Sequence, residues 1–153
     1  MPSSFFESPL VAQAIDEIVE LQNEVLVFSQ YADFASIEDQ KQNLSILRRL
    51  HEKQKNMCFR CVISGDDDAQ ILLGDVLAHF RSYGHTIDEE NPLAVFEEVK
   101  LSLDDIERDI DYCERHGYYP GEEPGGETPP SMFWPVNKLS IELGISPTLT
   151  YNK

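Results

Sequence analysis

The chain has 153 residues, of which 12 are basic and 28 acidic, so its formal net charge at pH 7 is -16. Such a charge repels nucleic-acid phosphates and anionic membranes, and it suits a basic partner or simple solubility. Three cysteines beside 41% hydrophobic residues argue against a disulfide framework. The start of the chain lacks a signal-peptide pattern, and no apolar run is long enough to cross a membrane. These features predict a soluble protein of the cytoplasm.

The first long helix is predicted to begin after Ser8, a suitable N-cap, with Pro9 at the first helical position. Phe5 and Phe6 precede this cap and are placed to fold back on the first turn as a hydrophobic staple. The helix runs to about Tyr31. Its apolar residues recur in alternating steps of three and four, the spacing of packed helices. They are Val11, Ala14, Ile18, Leu21, Val25 and Phe28.

The second helix, residues 36–64, is the longest predicted element and the one around which the others are expected to pack. Ser36 is its predicted N-cap, and Asp39 completes a capping box. Two polar residues, His51 and Gln54, interrupt its apolar stripe and are expected to bond a neighbouring carboxylate or set the register. The short link from the first helix predicts an antiparallel hairpin. The stripe comprises Ile37, Leu44, Leu47, Leu50, Cys58 and Cys61.

A third helix is predicted to run from about Asp68 to Tyr83. Gly65 breaks the preceding helix, and Asp66 or Asp67 is placed to cap the new one. The three adjacent aspartates lack the alternating spacing and distant glutamate of a calcium loop, so a cap is the preferred interpretation. The helix carries one apolar row, which consists of Ala69, Leu72, Leu73, Val76, Leu77 and Phe80.

The fourth predicted helix follows Asn91-Pro92 and ends at His116-Gly117, where glycine takes its usual C-terminal position. Residues 88–127 contain 14 acidic residues and only three basic ones. This helix is therefore expected to present the most negative surface of the protein, and its outward acids are predicted partner contacts. Its apolar row is Phe96, Val99, Leu103, Ile106, Ile110 and Cys113. The predicted contact residues are Asp104, Asp105 and Asp109.

The composition changes after Gly117, and the chain is predicted to divide there. Residues 1–116 form a helical domain, residues 117–131 a Pro/Gly-rich linker, and residues 132–153 a tail with an aromatic cluster and a short helix. Two interpretations of the tail stay open: it docks on a partner, or it returns to the protein's own helical surface. The predicted docking residues are Met132, Phe133, Trp134, Pro135, Leu139 and Leu143.

The cysteines suggest a structural zinc site as an alternative to a metal-free core. Cys58 and Cys61 with Cys113 and His116 spell C-x2-C and C-x2-H, and a Cys3His set binds zinc in proteins. Against this interpretation, all three cysteines lie on apolar stripes, where a thiol serves as a small apolar group. We therefore predict no metal and no cofactor. The chain also lacks a phosphate-binding glycine loop and a catalytic triad pattern, so it is not expected to be an enzyme.

Three segments carry a family resemblance: FFESPLV from Phe5, LHEKQKNMCFRCVIS ending at Ser64, and GDDDAQIL from Gly65. Together they resemble a domain-of-unknown-function family of short, all-helical proteins from cyanobacteria and some of their phages. The resemblance covers residues 5–110 and leaves out the tail after residue 117. It implies a helical fold and supplies no catalytic residues. The family pattern lacks cysteines at positions 58 and 61, which also argues against zinc.

The sequence thus predicts an all-α fold in which a long antiparallel hairpin is packed by two further helices and followed by a docking tail. The predicted function is that of a small acidic adaptor or assembly protein that acts by protein–protein contact, within a phage particle if the resemblance extends that far. The alternative is an acidic regulator or inhibitor that occupies a basic nucleic-acid-binding surface of polymerase or nuclease machinery. Homo-oligomerisation also stays open, because apolar stripes serve bundles within and between chains. Contact with membranes or direct contact with nucleic acid is not expected.

Overall fold

The computed structural model describes residues 4–32, 35–118 and 133–148, and these residues confirm the predicted all-α class. They form six α-helices and a 3₁₀ turn at Pro92–Ala94, with no strand among them. None of these helices is both long and apolar enough to cross a membrane. The helices are α1 (Ser4–Glu7), α2 (Pro9–Ser29), α3 (Ile37–Ile63), α4 (Asp67–Ser82), α5 (Val95–His116) and α6 (Phe133–Gly144).

Local capping bonds set several helix boundaries. The Ser36 hydroxyl accepts a hydrogen bond from the Asp39 amide at 3.1 Å, and the Asp39 carboxylate accepts one from the Ser36 amide at 3.4 Å. This is the predicted capping box of α3. Asp66 caps α4 by accepting from the amides of Asp68 and Ala69. Ser8 precedes α2 as predicted, but its side chain makes no capping bond.

The α1 turn was not predicted as an element of its own. Phe5 and Phe6 lie in it, half-buried against the core, and their rings meet edge to face at 4.8 Å. The Phe5 amide also donates to the Asp66 carboxylate at 3.2 Å. The two aromatic residues therefore cover the start of α2, and a backbone bond ties them to the start of α4.

The helix α3 packs against α2, α4, α5 and α6 and so forms the centre of the molecule. It has 27 residues and is about 40 Å long, which gives it room for four neighbours. It runs antiparallel to α2. Residues 23–31 lie beside residues 39–46, whereas residues 10–17 lie beside residues 53–60, where Lys53 bonds Glu17 at 2.9 Å. Leu47 and Leu50 of α3 are fully buried in the shared core.

The C-terminal helix α6 belongs to the same core. It packs on α2 and α3, where Val136, Leu139 and Leu143 are buried. Of the two interpretations of the tail, α6 therefore matches the second, in which the chain folds back on its own helices. Residues 119–132, most of the predicted linker, lie outside the described residues.

Buried amides hold the end of α6. The Leu143 carbonyl accepts hydrogen bonds from Gln22 at 3.0 Å and from Gln54 at 3.1 Å, and Gln22 also donates to the Ser146 carbonyl at 2.9 Å. The last carbonyls of a helix have no partner within the helix, so these amides supply one. Gln54 interrupts the α3 stripe, and Gln22 is buried beside the α2 stripe, because each donates to carbonyls at the end of α6.

Candidate partner-binding surface

The acidic side chains of α5 point to two different sides of the helix. Towards α3, the Arg48 guanidinium bonds Asp104 at 2.9 Å and Glu107 at 2.5 Å, and Lys41 bonds Glu114 at 2.5 Å. The hydrogen bond from Arg48 lowers the pKa of the Asp104 carboxyl. This part of the predicted contact face is therefore paired within the molecule, and Asp104 serves the α3–α5 contact.

Towards α6, Asp105 and Asp109 line an open groove of about 320 Å³, which we call the α5–α6 groove. Asp105 pairs with Arg108 on its own helix, whereas Asp109 makes no ion pair within the described ranges. The structure therefore brings two predicted acids together with the predicted tail residue Leu139. The groove is lined by Tyr83, His85, Ser102, Asp105, Ile106, Asp109, Lys138, Leu139 and Glu142.

A histidine between two carboxylates fixes one end of this groove. The His85 Nε2 atom lies 2.7 Å from a carboxylate oxygen of Glu142, whose side chain is only 6% exposed, and Nδ1 lies 3.0 Å from Glu98. The ring also meets Phe80 edge to face at 5.5 Å. The loop after α4 is thereby tied to α5 and to α6.

Sequence analysis did not identify His85, Glu98 or Glu142. The signal for Glu142 was its position beside Leu143 and three residues after Leu139, on the apolar side of a short helix. An acid there needs a buried partner. No local signal identified His85, because its two partners are 13 and 57 residues away.

The predicted aromatic anchor of the tail is only partly described. Met132 lies outside the described residues, and Phe133, Trp134 and Pro135 form the first turn of α6. Leu139 and Leu143 are 6% and 0% exposed, because they pack against the protein's own helices. These two leucines are not an exposed anchor for a partner, which corrects that part of the predicted contact set.

The cysteines of the alternative zinc set all lie in the core. Cys58, Cys61 and Cys113 are buried thiols, whereas His116 is exposed and lies against the Tyr112 ring at 4.1 Å. Burial raises the pKa of the Cys61 thiol to about 11 and that of Cys58 further, so both are protonated at neutral pH. Within the described ranges, no three His, Cys, Asp or Glu side chains are grouped to hold a metal ion. The thiols occupy the positions of small apolar side chains.

The buried His51 makes stability sensitive to acid. It is 5% exposed, its Nε2 donates to the Phe96 carbonyl at 2.8 Å, and burial lowers its pKa. Below pH 7 the unfolded chain therefore binds a proton more readily than the folded one. We expect the unfolding free energy to fall between pH 7 and pH 5, by at most about 1.4 kcal/mol per pH unit from this group.

Urea unfolding of the wild type and of His51→Gln at pH 7, 6 and 5 measures this contribution. The glutamine amide keeps a donor for the carbonyl but does not titrate, so the variant is expected to show a shallower slope. A wild-type slope in His51→Gln would contradict the assignment.

Comparison with known proteins gave no match to a family model, to a curated protein or to a solved structure.

Proposed function

We propose that this protein is a non-enzymatic acidic adaptor or assembly protein that binds a basic protein partner through the α5–α6 groove. The observation that carries the proposal is the combination of acids and apolar residues in one groove. Asp105 and Asp109 carry the charge, and the largely buried side chains of Ile106 and Leu139 form the apolar floor beneath them. A lysine or arginine side chain matches this pattern, because its stem is apolar and its end is a cation.

The charge of the whole molecule supports the same proposal. The net charge is -16, and the cations of α3 that face α5, Lys41 and Arg48, are already bonded to α5 acids. The remaining acids create a negative field that attracts a basic protein and speeds association. Binding of this kind weakens as salt screens the charges.

A pull-down from native lysate tests this proposal at two salt concentrations. At about 50 mM NaCl charges are weakly screened, and at about 500 mM NaCl they are strongly screened. The bait is the full chain, compared with the double variant Asp105→Asn/Asp109→Asn. The matched control is Asp16→Asn/Glu20→Gln, which removes two charges from exposed positions of α2 outside the α5–α6 groove. The retained protein is then purified and titrated against all three.

We expect the partner to be lost at high salt and in the groove variant, with an affinity loss of about tenfold or more. The α2 control is expected to bind within about twofold of the wild type, because rim charges away from the contact contribute little. Equal loss in both double variants would show attraction to net charge alone. Unchanged binding by the groove variant would contradict the proposed site.

A regulator of nucleic-acid machinery is the second candidate. Three exposed acids in the loop before α5 favour this candidate, because they extend the negative surface of α5. They are Asp88, Glu89 and Glu90. Such a protein occupies the surface on which its partner binds phosphates, so duplex DNA is expected to release the captured partner. Simultaneous binding of DNA and this protein would favour the adaptor. The resemblance to a family with phage members extends the adaptor proposal to virion or packaging proteins.

A further inference from the structure

A second groove lies at the closed end of the α2–α3 hairpin, and we call it the α2–α3 groove. Its volume is about 340 Å³. Two large side chains are unusually exposed beside it: Val27 is 56% exposed and Tyr31 43% exposed. The described residues that line it are Asn23, Glu24, Val27, Phe28, Tyr31, Asp39, Gln42, Asn43 and Ile46.

The α2–α3 groove differs in charge from the other open grooves described for this protein. Its described lining contains Glu24 and Asp39 and no lysine or arginine. The α5–α6 groove contains Lys138, and two further grooves on α3 contain Arg48 and Arg60 with other cations. The α2–α3 groove is therefore the member of this group whose charge is entirely negative.

The two acids lie at opposite ends of the α2–α3 groove. Glu24 lies on α2 and Tyr31 follows two residues after its end at Ser29, and seven residues span about 10 Å on a helix. Since α3 runs antiparallel to α2, Asp39 lies at the Tyr31 end. Its capping bond uses Oδ2, and Oδ1 is not part of that bond. Val27 and Ile46 provide an apolar centre between the two carboxylates.

We propose that the α2–α3 groove receives a basic amphipathic helix of the partner. The helix carries basic residues seven positions apart and apolar residues between them, because this spacing also spans about 10 Å. Its apolar side chains cover Val27, and its cations approach the carboxylates at the two ends. The inference rests on the proposed function in that it assumes a basic partner, but it assigns that partner a second contact.

The test uses a synthetic helical peptide of 15 residues, labelled with fluorescein and built on alanine and glutamine. It has lysine at positions i and i+7 and leucine at i+3 and i+4. The control peptide has the same composition with the leucines moved to the opposite face. Fluorescence anisotropy measures binding to the full-length wild type, to Glu24→Lys and to Glu20→Lys. Glu20 is an exposed acid on the same helix outside the groove, so both variants change the net charge equally.

We expect the wild type to bind the patterned peptide at least about fivefold more tightly than the control peptide. Glu24→Lys is expected to weaken binding by about tenfold or more, and Glu20→Lys by less than about twofold. Val27→Ser, which removes apolar contact without changing charge, is expected to weaken binding several-fold.

Equal binding of the two peptides, or equal loss in Glu24→Lys and Glu20→Lys, would overturn this inference. That result would leave the proposed function standing, because the pull-down depends on Asp105 and Asp109 at a different groove. Conversely, a partner that Asp105→Asn/Asp109→Asn binds unchanged, together with selective binding of the patterned peptide, would place that partner on the α2–α3 groove alone.

Discussion

Replacing Leu143 with alanine is expected to lower the free energy of unfolding by about 2–5 kcal/mol, the usual cost of truncating a buried leucine. Leu143 is fully buried where α6 packs on α2 and α3. The substitution removes apolar contact and leaves a cavity that the surrounding helices fill only in part. Urea unfolding followed by far-UV circular dichroism measures the loss.

The matched control is Leu101→Ala on α5, since Leu101 is 64% exposed. It is expected to change stability by less than about 0.5 kcal/mol, as surface substitutions usually do. This pair of variants tests whether α6 is held in the core of the protein. If Leu143→Ala costs no more than Leu101→Ala, the C-terminal helix is not held by the core and its role as a docking tail is revived.

Replacing Gly144 with alanine is expected to destabilise the protein by about 1–3 kcal/mol, because the site has no room for a side chain. An added Cβ would lie 2.8 Å from two side-chain carbons of Leu26 and 3.2 Å from a methyl group of Val25. Val25 is completely buried and has little freedom to move. The end of α6 would therefore shift away from α2, and the hydrogen bonds to the Leu143 carbonyl would lengthen.

Gly74→Ala provides the opposite expectation in the same protein. Gly74 lies within α4, and an added Cβ would meet nothing within 4 Å. Alanine is expected to stabilise this helix by about 0.5–1 kcal/mol, since glycine has the larger entropy in the unfolded chain. Thermal unfolding of both variants gives the two signs. A stabilising Gly144→Ala would mean that α6 does not pack closely on α2.

Both predictions also concern function, because the α5–α6 groove depends on the position of α6. Leu139, Lys138 and Glu142 come from α6, whereas Asp105 and Asp109 come from α5. A variant that displaces α6 is expected to weaken partner binding through the groove even though no acid of α5 has changed. The affinity of Gly144→Ala for the partner is therefore measured together with its free energy of unfolding, and both are expected to fall.

Local signals were sufficient to predict the five longer helices, α2 to α6, and most of their ends, but not the α1 turn. The capping box of Ser36 and Asp39 and the cap at Asp66 depend on residues within a few positions of each other. Gly117 ends α5 with a φ angle of 82°, a left-handed conformation in which glycine avoids the strain of a side chain. These features arise within one turn of the chain, so a sequence shows them directly.

The partners of the polar residues in the apolar stripes required the tertiary structure. Gln22 bonds carbonyls that are 121 and 124 residues away, and His51 bonds one that is 45 residues away. The sequence marked His51 and Gln54 as exceptions that need a partner, because a buried polar group without one is costly. It did not show which helix provides the acceptor, since that depends on the register in which distant helices pack.

The same limit explains the two assignments of the tail. An amphipathic pattern around Leu139 and Leu143 determines that one face of α6 must be buried, since exposed apolar area is unfavourable. It does not determine whether a partner or the chain itself covers that face. The sequence alone therefore determined an acidic, all-α protein with capped amphipathic helices. Only the tertiary structure decided that α6 completes the core and that Asp109 and Asp105 line a groove beside it, because shape and long-range packing create both.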